Sequence, residues 1–348
     1  MISIIIPTVN RFQSLQLAIE SLIKQNFPVE QFEILILDNG STDATKSVSE
    51  TIIEQYPSHQ IYYIYEPEPG LLSGRHRGAN AAQGEILTFI DDDIEADVNW
   101  LQAIHEAFTD PTVQIVGGRN LPKYEVEPPR WLKYFWREND NRKLCAYLSL
   151  LDFGDQVQEI DANYVWGLNF SIRKKILFEL GGFHPDCIPS NLQHFQGDGE
   201  TGLTQKSKKL GYKAIYHPQA LVFHEVSRSR MTPEYFNKRF FYQGVADSYT
   251  QIRKDGGNFV KNQVQPTVNL TFRWKFFLKN LKKQILHSIN EGLEISILAD
   301  RFRLAYERGY QFHQNAVRKH PELLHWVLKE NYWEYKLPNI SVKPPRKR

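Results

Sequence analysis

The chain has 348 residues, 41% of them hydrophobic and 24% charged, with a net charge of +2, which excludes a disordered, fibrous or collagen-like chain and fits a globular protein with a large core. Two cysteines, Cys145 and Cys187, are too few for a disulfide framework and lack metal-ligand spacing, so free thiols in a reducing compartment are expected. The net charge hides a split: 19 Lys and Arg stand against 30 Asp and Glu over 1–227, and 23 against 10 over 228–348, together making the 42 and 40 of the whole chain.

The first element is the apolar run Ser3-Ile4-Ile5-Ile6, followed by Leu15, Ile19, Leu22 and Ile23 at helical spacing: a strand, then a helix. The pair repeats in Ile34-Leu35-Ile36-Leu37, which leads through Asp38-Asn39-Gly40-Ser41 into a helix carrying Val48, Ile52 and Tyr56 on one face. After Ile61-Tyr62-Tyr63-Ile64 come Pro67, Pro69 and Gly70, a helix closing at Gly84, and the run Ile86-Leu87-Thr88-Phe89-Ile90 into Asp91. Strands of continuous apolar character alternating with helices imply a parallel sheet covered on both faces, with ligands beyond the carboxyl ends of its strands. Thr8, Asn10 and Arg11, then Asp38, then Asp91-Asp92-Asp93 stand at those ends.

Residues 119–160, with Pro122, Pro128, Pro129, Trp131, Tyr134, Phe135 and Trp136, read as an insertion over the site or a packed surface excursion. Regular structure returns with a strand at 170–172, helices over 174–180 and 200–210, and two short strands around Ile215 and Val222. Thr232-Pro233-Glu234 starts a helix, with a capping hydroxyl before proline at the first helical position. The chain then reads as helical to about 335, and the tail from 343 to 348 as disordered.

In an extended segment Asp91 and Asp93 share a side and Asp92 faces away. The two carboxylates repel unless a hard cation such as Mg²⁺ joins them to substrate phosphates. That cation also answers the puzzle of an acidic front half holding a phosphate ligand; a solvated acidic turn is the plain alternative.

The segment from Gly70-Leu71-Leu72-Ser73-Gly74-Arg75-His76-Arg77-Gly78 into Phe89-Ile90-Asp91-Asp92-Asp93 resembles a family 2 glycosyltransferase of the bacterial polysaccharide-biosynthesis kind. Thr8, Asn10, Asp38, Arg75, Asp91 and Asp93 match its pattern in order, and His76 departs from the Asn common after that Arg. The resemblance, over roughly 2–245, implies an α/β fold of the glycosyltransferase A type: a mostly parallel central sheet flanked by helices. A catalytic domain would span 1–230 and a helical C-terminal region 231–348. It implies contacts to a nucleotide-diphosphate sugar from Thr8, Asn10, Asp38, Arg75, Asp91 and Asp92, and near the donor sugar from Gly167 and Asn169 of Trp166-Gly167-Leu168-Asn169. It also implies Mn²⁺ or Mg²⁺ on Asp91 and Asp93, with His224 as a further ligand.

For transfer with inversion, Gln196-Gly197-Asp198-Gly199-Glu200 offers Asp198 as the base and Glu200 as second choice, in a relaxed form of the family's Glu-Asp element. Plain readings stand beside each: an Asx turn at Asp38, a surface ion pair at Arg75, a satisfied Asn169, a structural His224, and helix-terminus acids at 198 and 200. A nucleotide-sugar-binding module without catalysis is the first rival function. An oxidoreductase is the second, although Pro7-Thr8-Val9-Asn10-Arg11 lacks the Gly-x-Gly-x-x-Gly loop.

The basic stretch 273–283, with Trp274, Phe276 and Phe277 among Lys and Arg, reads as an interfacial helix on an anionic membrane or as a helix packed on the core. A glycan or lipid-linked acceptor suits the first reading, and no nucleic-acid module accompanies the patch. No run approaches the roughly 20 apolar residues of a membrane span, and Met1 leads into 2–6 without the basic flank of a signal peptide. A cytoplasmic enzyme, peripheral on the membrane, is expected.

Overall fold

A computed structural model describes residues 1–139, 141–258 and 289–342. Strand β1 (Ile2–Thr8) is buried along its whole length, as is β2 (Phe32–Asp38), because both faces of the sheet are covered. Helix α1 (Phe12–Ile23) buries Leu15, Ala18, Ile19 and Leu22. α2 (Thr45–Gln55), β3 (Gln60–Tyr65), α3 (Leu71–Ala81), β4 (Ile86–Ile90), β5 (Ile94–Ala96) and α4 (Trp100–Phe108) follow in the expected order. β1 pairs in parallel with β2 and β4, and β2 with β3.

The second half departs from the expectation at 119–160. β6 (Val113–Tyr124) is one 12-residue strand that runs through Pro122 despite the missing donor. The short strands β7 (Arg137–Asn139), β8 (Arg142–Cys145) and β9 (Leu150–Asp152) extend the sheet, and β10 (Gln158–Ile160) pairs with a later strand. Trp131 and Phe135 are packed in a core cluster with Phe236, Phe240 and Phe302, which settles the packed alternative for them. β11 (Asn169–Arg173) runs antiparallel to β4 and β6, and is followed by α5 (Lys174–Glu179) and α6 (Glu200–Lys209). The two strands expected near 215 and 222 form one, β12 (Lys213–Val226), with a register shift between His217 and Val222. Among the described residues the sheet has the order β3-β2-β1-β4-β11-β6-β9-β8-β7, with β12 parallel to β6.

Helices α1, α2 and α4 cover one face of this sheet. On the other, α3 lies so close to β1 that a Cβ on Gly78 would stand 2.5 Å from the Ile5 side chain; glycine permits the approach. Among the described residues the C-terminal helices are α7 (Pro233–Lys254), α8 (Ile289–Lys319) and α9 (Pro321–Leu328). Thr232 caps α7 by accepting from the Tyr235 N–H at 3.2 Å, as its sequence predicts. The basic stretch 273–283 and the tail 343–348 lie outside the described residues.

The C-terminal segment is tied to α3. His76 Nδ1 lies 3.2 Å from the Tyr332 carbonyl, its Nε2 accepts from the Phe183 N–H at 2.9 Å, and its ring stacks on Trp333 at 4.1 Å. Burial lowers its pKa to about 3, so the ring stays neutral and holds α3, the 181–183 turn and the C-terminal segment together. The departure from the family's Asn thus alters a packing contact.

Candidate active site

β1, β2 and β4 end at one edge of the sheet. β4 stops at Ile90 and residues 91–93 form a turn, so the expected strand-like alternation of the three aspartates does not hold. Asp92 turns inward, accepting from Thr8 Oγ1 and from Arg11 Nη1, both at 2.7 Å. Thr8 and Asp92, both expected at the nucleotide, are thereby bonded to each other. Asp93 is 1% exposed, and its Oδ2 accepts from Arg11 Nη2 at 2.8 Å and Arg230 Nη2 at 2.5 Å. Asp91, 36% exposed, faces the cleft with Arg75 Nη2 at 3.6 Å.

The electrostatics differ along the triplet. Poor solvation at the floor of the cleft raises Asp91 above its ordinary value against the charge of Arg75, and burial takes Asp92 to about 7 in spite of Arg11. Burial alone would raise Asp93 too, but the charges of Arg230 and Arg11 hold it well below the usual carboxylate range.

His224 comes from β12, in register with Ile94 of β5 and Pro122 of β6. Its Nδ1 is 2.9 Å from the Leu148 carbonyl and donates there, since a carbonyl can only accept; the Nε2 lone pair therefore faces the site. Nε2 lies 3.5 Å from Asp93 Oδ1, a buried oxygen without a hydrogen-bond partner, while Arg230 Nη1 donates to Nε2 at 2.5 Å. Two lone-pair atoms facing each other beside a guanidinium suit a cation; carboxylate oxygen is a ligand for both Mn²⁺ and Mg²⁺, and the imidazole nitrogen favours the transition metal. Among the described residues no group of three or more His, Cys, Asp or Glu side chains forms a ready cage. Asp93 and His224, with Asp91 nearby in the chain, fit an open site completed by substrate oxygens.

Arg75, 3% exposed, stands between Asp91 and Glu200, whose Oε2 is 3.8 Å from its Nη1, and lies 5.1 Å over the Phe183 ring. A Cβ on Gly167 would come within 2.2 Å of Arg75 Nη2. Gly167 was expected to let the backbone approach the donor sugar; its missing side chain makes room for this guanidinium. Asn169 was expected to bond a sugar hydroxyl; in the structure its amide is engaged by protein groups. It is buried, its Oδ1 accepting from Trp100 Nε1 at 3.0 Å and its Nδ2 donating to Asn120 Oδ1 at 3.0 Å and the Ala220 carbonyl at 2.9 Å. With those bonds made it is a core residue, which is the plain alternative.

At the end of β2, Asp38 accepts from the Ser41 N–H at 2.8 Å, an Asx turn, and from Tyr63 Oη at 2.6 Å. Asn10, with φ of 53°, accepts from the Thr42 N–H at 2.8 Å, so both residues order the 39–43 loop beside β1.

The two acids of the relaxed element part company. Asp198 is enclosed: Oδ1 is 2.6 Å from His184 Nδ1 and Oδ2 accepts from Thr250 Oγ1 at 2.7 Å. Burial would raise it, but His184 and Thr250 hold it below the ordinary value. Burial in turn lowers His184, although Asp198 favours its charge. Glu200 opens α6 after Gly199, whose φ is 59°, and turns toward Arg75. Burial raises its pKa against the charge of Arg75, with Asp186 adding repulsion. Arg11, Arg230, His184, Thr250 and Tyr63 were not singled out as partners of these acids. Arg11 alone carried a signal, being next to Asn10 at the end of β1.

A mostly parallel sheet with acids and arginines gathered beyond its strand ends, and helices on both faces, defines a glycosyltransferase of the A fold type. Residues 3–180 match the family model described as Glycosyl transferase family 2, and the chain belongs to that family. It is 21% identical over 271 residues to a glucosyl-dolichyl phosphate glucuronosyltransferase of Haloferax volcanii, covering 75% of this chain and 82% of that protein. It is 30% identical over 234 residues to a validoxylamine A glucosyltransferase of Streptomyces hygroscopicus subsp. jinggangensis, covering 62% of this chain and 52% of the relative. Among solved structures, a mannosyltransferase of Pyrobaculum calidifontis in complex with GDP-Man and Mn²⁺ aligns with a TM-score of 0.54 at 18% identity, over 96% of this chain and 88% of that one. GalNAc-T7 with UDP, GalNAc and Mn²⁺ aligns with a TM-score of 0.52 at 18% identity, over 80% of this chain and 54% of that one. These likenesses establish the fold.

Proposed function

We propose that this glycosyltransferase moves a sugar from a nucleotide-diphosphate sugar to an acceptor hydroxyl with inversion at the anomeric carbon, in a reaction that uses Mn²⁺ or Mg²⁺. The observation that carries the reading is the row Asp93–Asp91–Arg75–Glu200. It sets a cation-fitting donor pair, Asp93 with His224, at one end and a carboxylate of raised pKa at the other. GDP-Man or UDP with Mn²⁺ in the two solved relatives accords with it.

In this reading Asp91, Asp93 and His224 hold the cation, which when bound neutralises charge on the departing diphosphate. Glu200 is the base. The two candidates for the acceptor proton differ in availability: both Asp198 oxygens already accept short side-chain bonds, whereas the side-chain partner of Glu200 is Arg75 at the longer 3.8 Å. A raised pKa brings a carboxylate closer to working pH and makes it a better proton acceptor. Arg75 holds Glu200 and Asp91 in one row and keeps the two carboxylates from repelling. Asp38 and Asn10 shape the loop that would receive the nucleoside.

The acceptor in this proposal is a glycan or lipid-linked hydroxyl, as the printed name of the Haloferax volcanii relative suggests, in polysaccharide or glycan biosynthesis. Residues 1–230 would form the catalytic part and 231–348 a helical region. Among the described residues no helix is long and apolar enough to cross a membrane, and a peripheral place on an anionic membrane is proposed for the stretch 273–283.

The stereochemistry is open to direct test. UDP- and GDP-sugars are screened with Mn²⁺ for release of nucleoside diphosphate, and the product of the accepted donor is followed by proton NMR. The first-formed product should carry the anomeric configuration opposite to the donor's. Retention would remove Glu200 from the role of base.

A further inference from the structure

The strongest unused feature of the site is the place of Arg230. Its guanidinium bridges the two side chains that suit a cation, with Nη1 2.5 Å from His224 Nε2 and Nη2 2.5 Å from Asp93 Oδ2, the oxygen beside the unpartnered Oδ1. His224 cannot turn away from this contact without losing the bond from its Nδ1 to the Leu148 carbonyl. Asp93 keeps a second cationic partner, Arg11 Nη2 at 2.8 Å, so its carboxylate stays in position whether or not Arg230 is present. Arg230 lies on the short 228–231 turn between β12 and α7, and its side chain is 23% exposed. It can leave without opening a core.

We propose that Arg230 is a positioning residue that fills the cation site of the free enzyme and must be displaced for a metal ion to enter. This rests on the reading that Asp93 and His224 hold the metal. A guanidinium and a divalent cation cannot share the Nε2 lone pair, and two positive charges at that spacing repel. Metal entry therefore releases a guanidinium that needs a new anion, and a nucleotide diphosphate supplies one with which arginine pairs in bidentate fashion. The consequence is coupling: metal binds weakly alone and tightly with nucleotide, and by linkage the nucleotide gains equally from the metal.

The test measures Mn²⁺ binding to the full chain, by calorimetry and by the loss of free-Mn²⁺ signal in electron paramagnetic resonance, with and without UDP or GDP. Removing the competitor in Arg230→Gln should tighten Mn²⁺ binding without nucleotide by roughly tenfold or more, and should shrink the gain that nucleotide brings. Arg230→Lys keeps the charge without the fork and should fall between. Arg228→Gln, which removes a charge two residues away, controls for the general field and should change the affinity by less than about twofold. Equal Mn²⁺ affinity in wild type and Arg230→Gln, or an equal gain in Arg228→Gln, overturns the proposal. In those cases a loss of Mn²⁺ binding in Asp93→Asn still upholds the metal site. Mn²⁺ binding indifferent to Asp93→Asn sinks the site itself, and the proposal with it.

Discussion

Replacing Asp93 by Asn is expected to lower kcat/KM by at least about 10³-fold, roughly 4 kcal/mol of transition-state stabilisation. The carboxylate is the one acid of the triplet whose oxygens face His224, Arg11 and Arg230 together, so no neighbour can replace it. The substitution also weakens two ion pairs, but Arg11 keeps Asp92 and both guanidinium groups reach solvent, so the cost in stability should fall below the roughly 3–5 kcal/mol of breaking a fully buried pair. Thermal melting therefore accompanies the kinetics. His224→Ala separates the two effects: it leaves the Asp93–Arg11 and Asp93–Arg230 pairs intact but removes Nε2. Both variants should lose the response of rate to Mn²⁺ concentration. If His224→Ala keeps the wild-type response, His224 is not a ligand, and the plain structural reading of that residue returns.

The second large effect is expected at Glu200. Glu200→Gln should reduce kcat by about 10²–10⁴-fold, the usual contribution of a positioned general base, while donor affinity and melting temperature stay close to wild type. The pH profile carries a sign. Burial raises Glu200 against the pull of Arg75, and only the ionised form accepts a proton. The wild-type rate should therefore fall as pH drops through a value above that of an ordinary glutamate, and the limb should vanish in the variant's residual rate.

Asp198→Asn should behave differently, losing about 1–3 kcal/mol of stability through the weakened bonds to His184 and Thr250. Because its folded pKa lies below the ordinary value, the stability Asp198 contributes is present above its unfolded pKa. That contribution is lost as pH falls through the folded one. A collapse of kcat in Asp198→Asn with unchanged melting, beside a competent Glu200→Gln, would reverse the assignment.

The half of the fold that repeats strand and helix was legible because its strands are buried on both faces and its helices on one. Ile4, Ile5 and Ile6, and Leu15, Ile19 and Leu22, wrote that in period and run length. The stretch 119–160 was not, because β6 continues through Pro122 and its partner β12 lies about a hundred residues away; local pattern does not report such a pairing. At the site, acids at strand ends announced the cleft, but their partners arrive from far along the chain. Arg230 meets Asp93 from 137 residues away and Thr250 meets Asp198 from 52. Gly167 and Asn169 have structural contacts that sequence alone does not report: one makes room for the Arg75 guanidinium and the other bonds Asn120 in the core.

The proposed reaction needs a cation joining the Asp91–Asp93 turn and His224 to the phosphates of an activated sugar. Calorimetric titration of the wild-type chain with UDP and GDP, with Mn²⁺ and with excess chelator, tests that most directly. One of the two nucleotides should bind at least about tenfold more tightly with Mn²⁺, a difference of about 1.4 kcal/mol. Equal affinity under both conditions for each nucleotide would contradict it.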